Sequence, residues 1–313
     1  MRIFVTGASG LLGLNAMLQL KDRHEVSGSY LTHPIRVMGA MAHQGDLSNV
    51  AVVEEIFGAK RPEVVLHTAG LTNVDACQAN PAEATRLHVQ VTRHVARAAQ
   101  RVGAKLVHIS TDHLSDGTNK FVTEESIPAP VNEYARTKWE AEQVAAKECP
   151  GALIIRTNFF GWGTPVKKSF SDWILDGLES GRRLTLFPDV YVSPILINDL
   201  VDVIEKLVAL KESGTFNVAS RNRVSKYEFG MGLAEVFRLL RPDSILPVPI
   251  GLASLLAPRP PDMSLDTNKV AKVLGRAMPS VDESLRKLKD LGEAGWREKL
   301  RDAMRLAGEA CTT

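Results

Sequence analysis

The chain opens on Arg2-Ile3-Phe4-Val5-Thr6, a short apolar run that passes directly into Gly7-Ala8-Ser9-Gly10-Leu11-Leu12-Gly13. Glycines three apart between a strand and a helical pattern constrain the fold more than any other feature, because they serve a tight turn with bare backbone amides at a helix start. That start is one unit of an alternating sheet. Apolar runs at Arg2–Thr6, Glu25–Ser29, Val64–Thr68, Lys105–Ser110 and Ala152–Thr157 read as strands. Between them, Leu11–Leu20, Asn49–Phe57, Ala82–Gln100 and Glu133–Lys147 carry apolar residues at helical spacing. The alternation predicts an α/β chain built on a doubly wound parallel sheet, which binds ligands at the carboxyl ends of its strands.

Beyond Phe159 the pattern loosens, with Gly161, Gly163, Pro165, Gly181, Pro188 and Pro194 interrupting short segments. With 313 residues to place, the reading is a dinucleotide-binding Rossmann domain over residues 1–160 and a smaller, mainly substrate-binding lobe over 161–313. The lobes are expected to interleave, through a strand near 215–219 that returns to the main sheet. Pro242–Pro261 reads as an irregular loop.

Composition narrows the partners. A net charge of +2 with scattered basic residues argues against nucleic acid. Cys77, Cys149 and Cys311 form no C-x-x-C pair, so neither a disulfide framework nor a metal site is expected. No apolar stretch approaches the ~20 residues of a membrane span, and the first strand begins too early to leave a signal peptide. The expected location is cytoplasmic, and the expected partner a small molecule.

The loop Gly7, Gly10, Gly13 would bring amides up to a pyrophosphate at the positive end of a helix, with Leu11 and Leu12 in its first turn. A tight turn without ligand is the plainer alternative. An acid near the end of the second strand would normally take the ribose hydroxyls of NAD. From Val26 to Gly45 there is no Asp or Glu, while Ser29, Tyr30, His33 and Arg36 are present, so a 2′-phosphate would meet hydroxyls and a cation. NADP is therefore favoured, with NAD the alternative. Asp46 could take the adenine amino group while Leu47 packs on the ring, though Asp46 and Ser48 also suit a helix cap. The small residues Ala69 and Gly70 end the fourth strand, where a coenzyme passes closely or a turn packs.

The sharpest chemical signal is Tyr134-Ala135-Arg136-Thr137-Lys138. Residues four apart on a helix share a face, so phenol and ammonium can point into one pocket. A free tyrosine has a pKa of about 10. A nearby ammonium and an oxidised nicotinamide are expected to lower it, letting Tyr134 exchange a proton with a carbonyl oxygen while Lys138 holds the ribose. Alone, such a pair is most often a solvated helix face. Here it follows the strand ending in Ser110-Thr111-Asp112, and Thr111 supplies the hydroxyl that the chemistry needs beside the carbonyl.

Taken together, GASGLLG, LTNVDACQANP, HISTDHLSDGTNKFVTEESIPAPVNEYARTKWEAE, IIRTNFFG, GTFNVASRNRVSKYEF and RPPDMSLDTNKV resemble the dTDP-4-dehydrorhamnose reductases. These are extended short-chain dehydrogenases/reductases, in a wider group that includes the regulatory subunit of methionine adenosyltransferase. The resemblance runs over nearly the whole chain. It implies reduction of the 4-keto group of a nucleotide-activated 6-deoxy sugar. It also implies coenzyme contacts at Gly10, Leu11, Leu12, Asp46, Leu47, Ala69, Gly70 and Leu71, and substrate contacts at Thr111, Asp112, Phe159 and Arg259. A homodimer is common for such folds. The chain departs from the family's S-T-D-Y-V-F by reading His113-Leu114-Ser115, which removes two aromatics beside Thr111 and implies a remodelled pocket. His113 is read as a hydrogen-bonded structural histidine, with a substrate ligand the alternative. An epimerase or dehydratase of the same fold, and a non-catalytic binding subunit, are the competing readings.

Overall fold

A computed structural model describes residues 1–310, so Cys311 lies outside the described residues. Seven strands form the central sheet: β1 Arg2–Thr6, β2 Glu25–Tyr30, β3 Met41–Gln44, β4 Val64–His67, β5 Lys105–Ile109, β6 Leu153–Arg156 and β7 Gly214–Asn217. Their order is β3-β2-β1-β4-β5-β6-β7, with every pairing parallel. Strands covered on both faces have no polar side to show, and β4 and β6 are buried throughout. The chain order reverses between β1 and β4, and that switch point opens the crevice in which such sheets bind ligands.

Helix α1, Leu11–Leu20, has no polar face, because it is sandwiched between the sheet and the rest of the chain. Trp296 Nε1 donates to Asn15 Oδ1 at 2.7 Å and holds the last described helix, α12 (Trp296–Ala310), against it. Helix α6, Glu133–Glu148, starts sharply because the Asn132 side chain accepts the Ala135 amide at 2.9 Å. The helix expected over Ala82–Gln100 runs continuously from Pro81–Thr85 into Val91–Val102, with right-handed helical backbone at both junctions. Its middle, Arg86–Gln90, widens into a π-turn that turns His88 toward the crevice.

The later residues cover the strand ends with small parallel and antiparallel pairs, among them Leu184–Leu186 with Ile245–Pro247 and Tyr191–Val192 with Val224–Ser225. Helices α7 (Phe170–Glu179) and α9 (Lys226–Val236) pack there, each begun by a capping box, from Ser169 and Asp172 and from Ser225 and Glu228. One apolar cluster runs from Ile3 and Val5 through Leu196 and Leu207 to Leu285 and Leu300, so both parts of the chain share a core. Among the described residues no helix is long and apolar enough to cross a membrane.

Candidate active site

The glycine loop is built so that side chains cannot replace it. Gly7 sits at φ +64°, and a Cβ there would stand 2.9 Å from the Ala69 Cα. A Cβ on Gly13 would fall 2.3 Å from the Gly7 carbonyl oxygen. Helix α1 has no capping side chain on Gly10 and no acidic residue in its first turn, which leaves the first amides of the helix open to an anion.

Two cavities meet at this loop. The smaller, about 300 Å³, is lined by Gly7, Ser29, Tyr30, Asp46 and Leu47 among others. The larger, about 490 Å³, is lined by Leu11, Leu12, Gly13, Thr111, Asp112, Tyr134, Lys138 and Phe159 among others. Gly10, Ala69, Gly70 and Leu71 line both, so the pair forms one groove across the strand ends. The Ser29 hydroxyl is buried without a partner at one end, as a polar atom awaiting a ligand would be.

Two expected residues line neither cavity. Arg36 faces solvent because Ile35 and Val37 are buried on either side of it and its amide donates to the Ala303 carbonyl at 2.6 Å, which clamps the segment to α12. Arg259 is turned to Asp75, Nη2 to Oδ1 at 3.1 Å, and to the Ala257 carbonyl at 2.7 Å. Asp46 keeps its place, but its carboxylate accepts the Ser48 amide at 2.9 Å, and the following helix is capped by Asn49.

At the other end of the groove, the helical spacing of Tyr134 and Lys138 brings both into the larger cavity with Thr111. Lys138 is buried, and its ammonium donates to the Ile109 carbonyl oxygen at 2.5 Å. Burial pulls the Lys138 pKa down to about 8, against the attraction of Glu142. For Tyr134 burial is also the larger effect and pushes the phenol up to about 12, while the Thr111 hydroxyl draws it the other way. In the protein alone, without the oxidised nicotinamide that would favour the phenolate, burial therefore keeps the phenol protonated. A phenol held protonated is a proton donor at neutral pH.

Asp112 lies beside Thr111, accepting from Thr111 Oγ1 at 3.3 Å and from Asn158 Nδ2 at 2.7 Å. Burial pushes it up to about 6. His113 packs edge-on against the Tyr134 ring, centroids 5.4 Å apart, and its Nδ1 is buried without a partner. Burial, then the charges of Lys226 and Arg259, pull it down to about 3, so it is neutral.

His88 was not singled out by the sequence. Its Nε2 hydrogen bonds to the Leu71 carbonyl at 2.7 Å, its Nδ1 lies 2.8 Å from Thr137 Oγ1, and its ring meets Tyr134 edge-on at 5.7 Å. It therefore ties the Ala69–Leu71 loop to the face of α6 that carries Tyr134 and Lys138. Among the described residues no cluster of His, Cys, Asp or Glu is placed to hold a metal ion.

Comparison with known proteins places this geometry. The RmlD substrate binding domain family matches residues 1–291. The probable low-salt glycan biosynthesis reductase Agl14 of Haloferax volcanii is 32% identical over 292 residues, covering 91% of this chain and 96% of that protein. Methionine adenosyltransferase 2 subunit beta of Pongo abelii is 29% identical, over 91% of this chain and 87% of its own length. Among solved structures, dTDP-4-dehydrorhamnose reductase from Bacillus anthracis in complex with NADP superposes with a TM-score of 0.83 at 26% identity, over 92% of this chain and 98% of that one. The chain belongs to the RmlD substrate binding domain family.

Proposed function

We propose that the protein is a cytoplasmic reductase that uses NADPH to reduce the 4-keto group of a nucleotide-activated 6-deoxy sugar. The observation that carries this is the placement of Thr111, Tyr134 and Lys138 in the cavity that begins at the glycine loop. The groove suits a nicotinamide dinucleotide: bare α1 amides at its centre, small residues Ala69 and Gly70 beside them, and a partnerless Ser29 hydroxyl at one end. The edge from Ser29 to Thr32 offers hydroxyls and no carboxylate, which favours NADP over NAD. The similar reductase from Bacillus anthracis was crystallised with NADP.

Bound in this groove, the reduced coenzyme supplies a hydride to the carbonyl carbon. The protein's own residues supply the rest. Thr111 Oγ1 hydrogen bonds the carbonyl oxygen and Tyr134 Oη donates its proton there as the alkoxide forms. A phenol held near pKa 12 gives up that proton only to a stronger base, which a nascent alkoxide is. Lys138, steered by the Ile109 carbonyl, places a cation beside the developing phenolate and the ribose hydroxyls. Asp112 accepts a hydrogen bond from a neighbouring sugar hydroxyl.

The test is NADPH oxidation with a panel of keto-sugar nucleotides. Wild-type protein should turn over at least one, and Tyr134→Phe should lose about 10²- to 10⁴-fold in kcat with NADPH affinity unchanged. Full turnover by the variant would remove the mechanism. The similarity to methionine adenosyltransferase 2 subunit beta favours a second reading, a coenzyme-binding subunit of another enzyme. Capture of a partner enzyme, with no NADPH oxidation on any sugar, would favour that reading.

A further inference from the structure

His113 follows Thr111 and Asp112 just beyond β5, and its ring lines the larger cavity with them and Tyr134. The backbone there is fixed, the His113 amide donating to Thr111 Oγ1 at 3.2 Å. The ring stands edge-on to the phenol of Tyr134, centroids 5.4 Å apart, which sets it beside the proton donor. The hydrogen bond expected of a structural histidine is missing, because neither ring nitrogen bonds to another group among the described residues. Nδ1 is buried without a partner, and Nε2 stands 4.0 Å from Asp112 Oδ1, too far for a direct bond. The side chains of His113 and Asp112 are 14% and 3% exposed, so both polar groups are largely removed from bulk water.

The 4.0 Å gap between Nε2 and Oδ1 has the size of one shared oxygen. An oxygen about 2.8 Å from each atom would subtend about 90° between them, an angle open to a hydroxyl that donates one hydrogen bond and accepts another. Burial, then Lys226 and Arg259, hold the imidazole neutral, so it carries a single N–H. The facing Asp112 carboxylate favours that proton on Nε2. The gap therefore offers a donor on one side and an acceptor on the other. Asp112 Oδ1 has room for a further donor, since its bond from Thr111 Oγ1 is long at 3.3 Å and Thr111 turns to the keto oxygen in the reduction. Asn158 donates to the other carboxylate oxygen at 2.7 Å and fixes the orientation of the group.

We infer that His113 is a specificity-determining residue, whose Nε2–H and the Asp112 carboxylate together hold one hydroxyl on the ring carbon next to the keto carbon. This rests on the nucleotide-sugar reading above and deepens it by naming the substrate class: a 4-keto sugar that keeps the hydroxyl beside its ketone. The position follows from the neighbours. The keto oxygen lies between Thr111 and Tyr134, Asp112 is bonded to Thr111, and the His113 ring packs on Tyr134. In a 4-keto-6-deoxy sugar the hydroxyl in question is the one on C3, since C5 carries the methyl group and the ring oxygen. A methylene in its place leaves donor and acceptor unpaired, which a site of this kind rejects.

A substrate cycle with His113→Phe checks this, because phenylalanine keeps an aromatic ring against Tyr134 and removes both nitrogens. Two nucleotide-linked 4-keto sugars are compared, a 6-deoxy sugar with its C3 hydroxyl and the 3,6-dideoxy counterpart. Wild type should prefer the first by at least about a hundredfold in kcat/KM. His113→Phe should lose about ten- to a hundredfold on the hydroxylated sugar, mostly in KM, and no more than about threefold on the dideoxy sugar. His113→Gln, which returns an N–H donor to the gap, should recover part of the preference. NADPH affinity, read by fluorescence, should match wild type in both variants. An equal loss on the two sugars would reduce His113 to a structural role and overturn the inference. Wild-type turnover of both sugars without preference, or a preference that survives in His113→Phe, would overturn it too and leave the reductase reading standing. A wild type that reduces neither sugar would overturn both.

Discussion

Replacing Lys138 with methionine should make the protein more stable at neutral pH while abolishing its activity. Lys138 is 8% exposed, and burial has moved its pKa from 10.5 to about 8. At about 1.4 kcal/mol per pH unit, that gap means the folded chain holds an ammonium at a penalty of about 3 kcal/mol near pH 7. The sign follows from proton binding: a lysine with a depressed folded pKa binds its proton more weakly folded than unfolded. The penalty is therefore complete below about 8, shrinks as pH rises toward the unfolded value, and vanishes above it. Near pH 10 it has fallen to about 1 kcal/mol. Methionine removes the charge at similar length, but leaves the Ile109 carbonyl unpaired at a cost of about 1 kcal/mol. The net expectation is a gain of about 2 kcal/mol near pH 7, or about 3 °C in Tm for a chain of this size, and almost none near pH 10. Paired urea titrations of wild type and variant at the two pH values read the difference directly. A variant less stable than wild type near pH 7, or a gap that ignores pH, would show that Lys138 is not held as a desolvated ammonium.

Three further outcomes follow from the site and its supports. The pH profile of kcat/KM for ketone reduction should be bell-shaped, falling below about 6 as Asp112 gains its proton and above about 8 as Lys138 loses its own; Asp112→Asn should remove the acid limb, and a profile flat across that range would contradict both assignments. Gly13→Ala sets a methyl 2.3 Å from the Gly7 carbonyl oxygen, so NADPH affinity should drop by at least about tenfold in a fluorescence titration, whereas nucleoside diphosphate binding should not change. Arg156→Met strands the Glu142 carboxylate, 2.9 Å from Arg156 and buried, at a cost of about 3–5 kcal/mol in chemical denaturation; the double variant with Glu142→Leu should recover most of that loss.

What the sequence could show depended on how local the cause was. The glycine loop and the Tyr134–Lys138 pair were legible because both are set by spacing within one element: a turn that excludes Cβ atoms, and a helix that puts every fourth residue on one face. The chain order of Thr111, Tyr134 and Lys138 then located the cavity. That Arg36 lines neither cavity was hidden because its position depends on the burial of Ile35 and Val37 and on the bond of its amide to Ala303, in a helix far later in the chain. The raised pKa of the phenol in the protein alone was not legible for a similar reason: spacing shows that a lysine is near, but how far burial acts on the ring depends on what encloses it. His88 was hidden because a periodic helix would have pointed it elsewhere, and the π-turn that redirects it leaves no mark in the apolar pattern.

In the proposed reduction, hydride and proton meet at one carbonyl between the glycine loop and Tyr134. Its most direct test uses NADPH deuterated at the nicotinamide C4, a 4-keto-6-deoxy nucleotide sugar, and NMR of the product. Wild-type protein should place deuterium on the new carbinol carbon at a single stereochemical position, and Tyr134→Phe should place none there on the same timescale. Protium at that carbon from the wild type, or equal deuterium transfer by the variant, would contradict it.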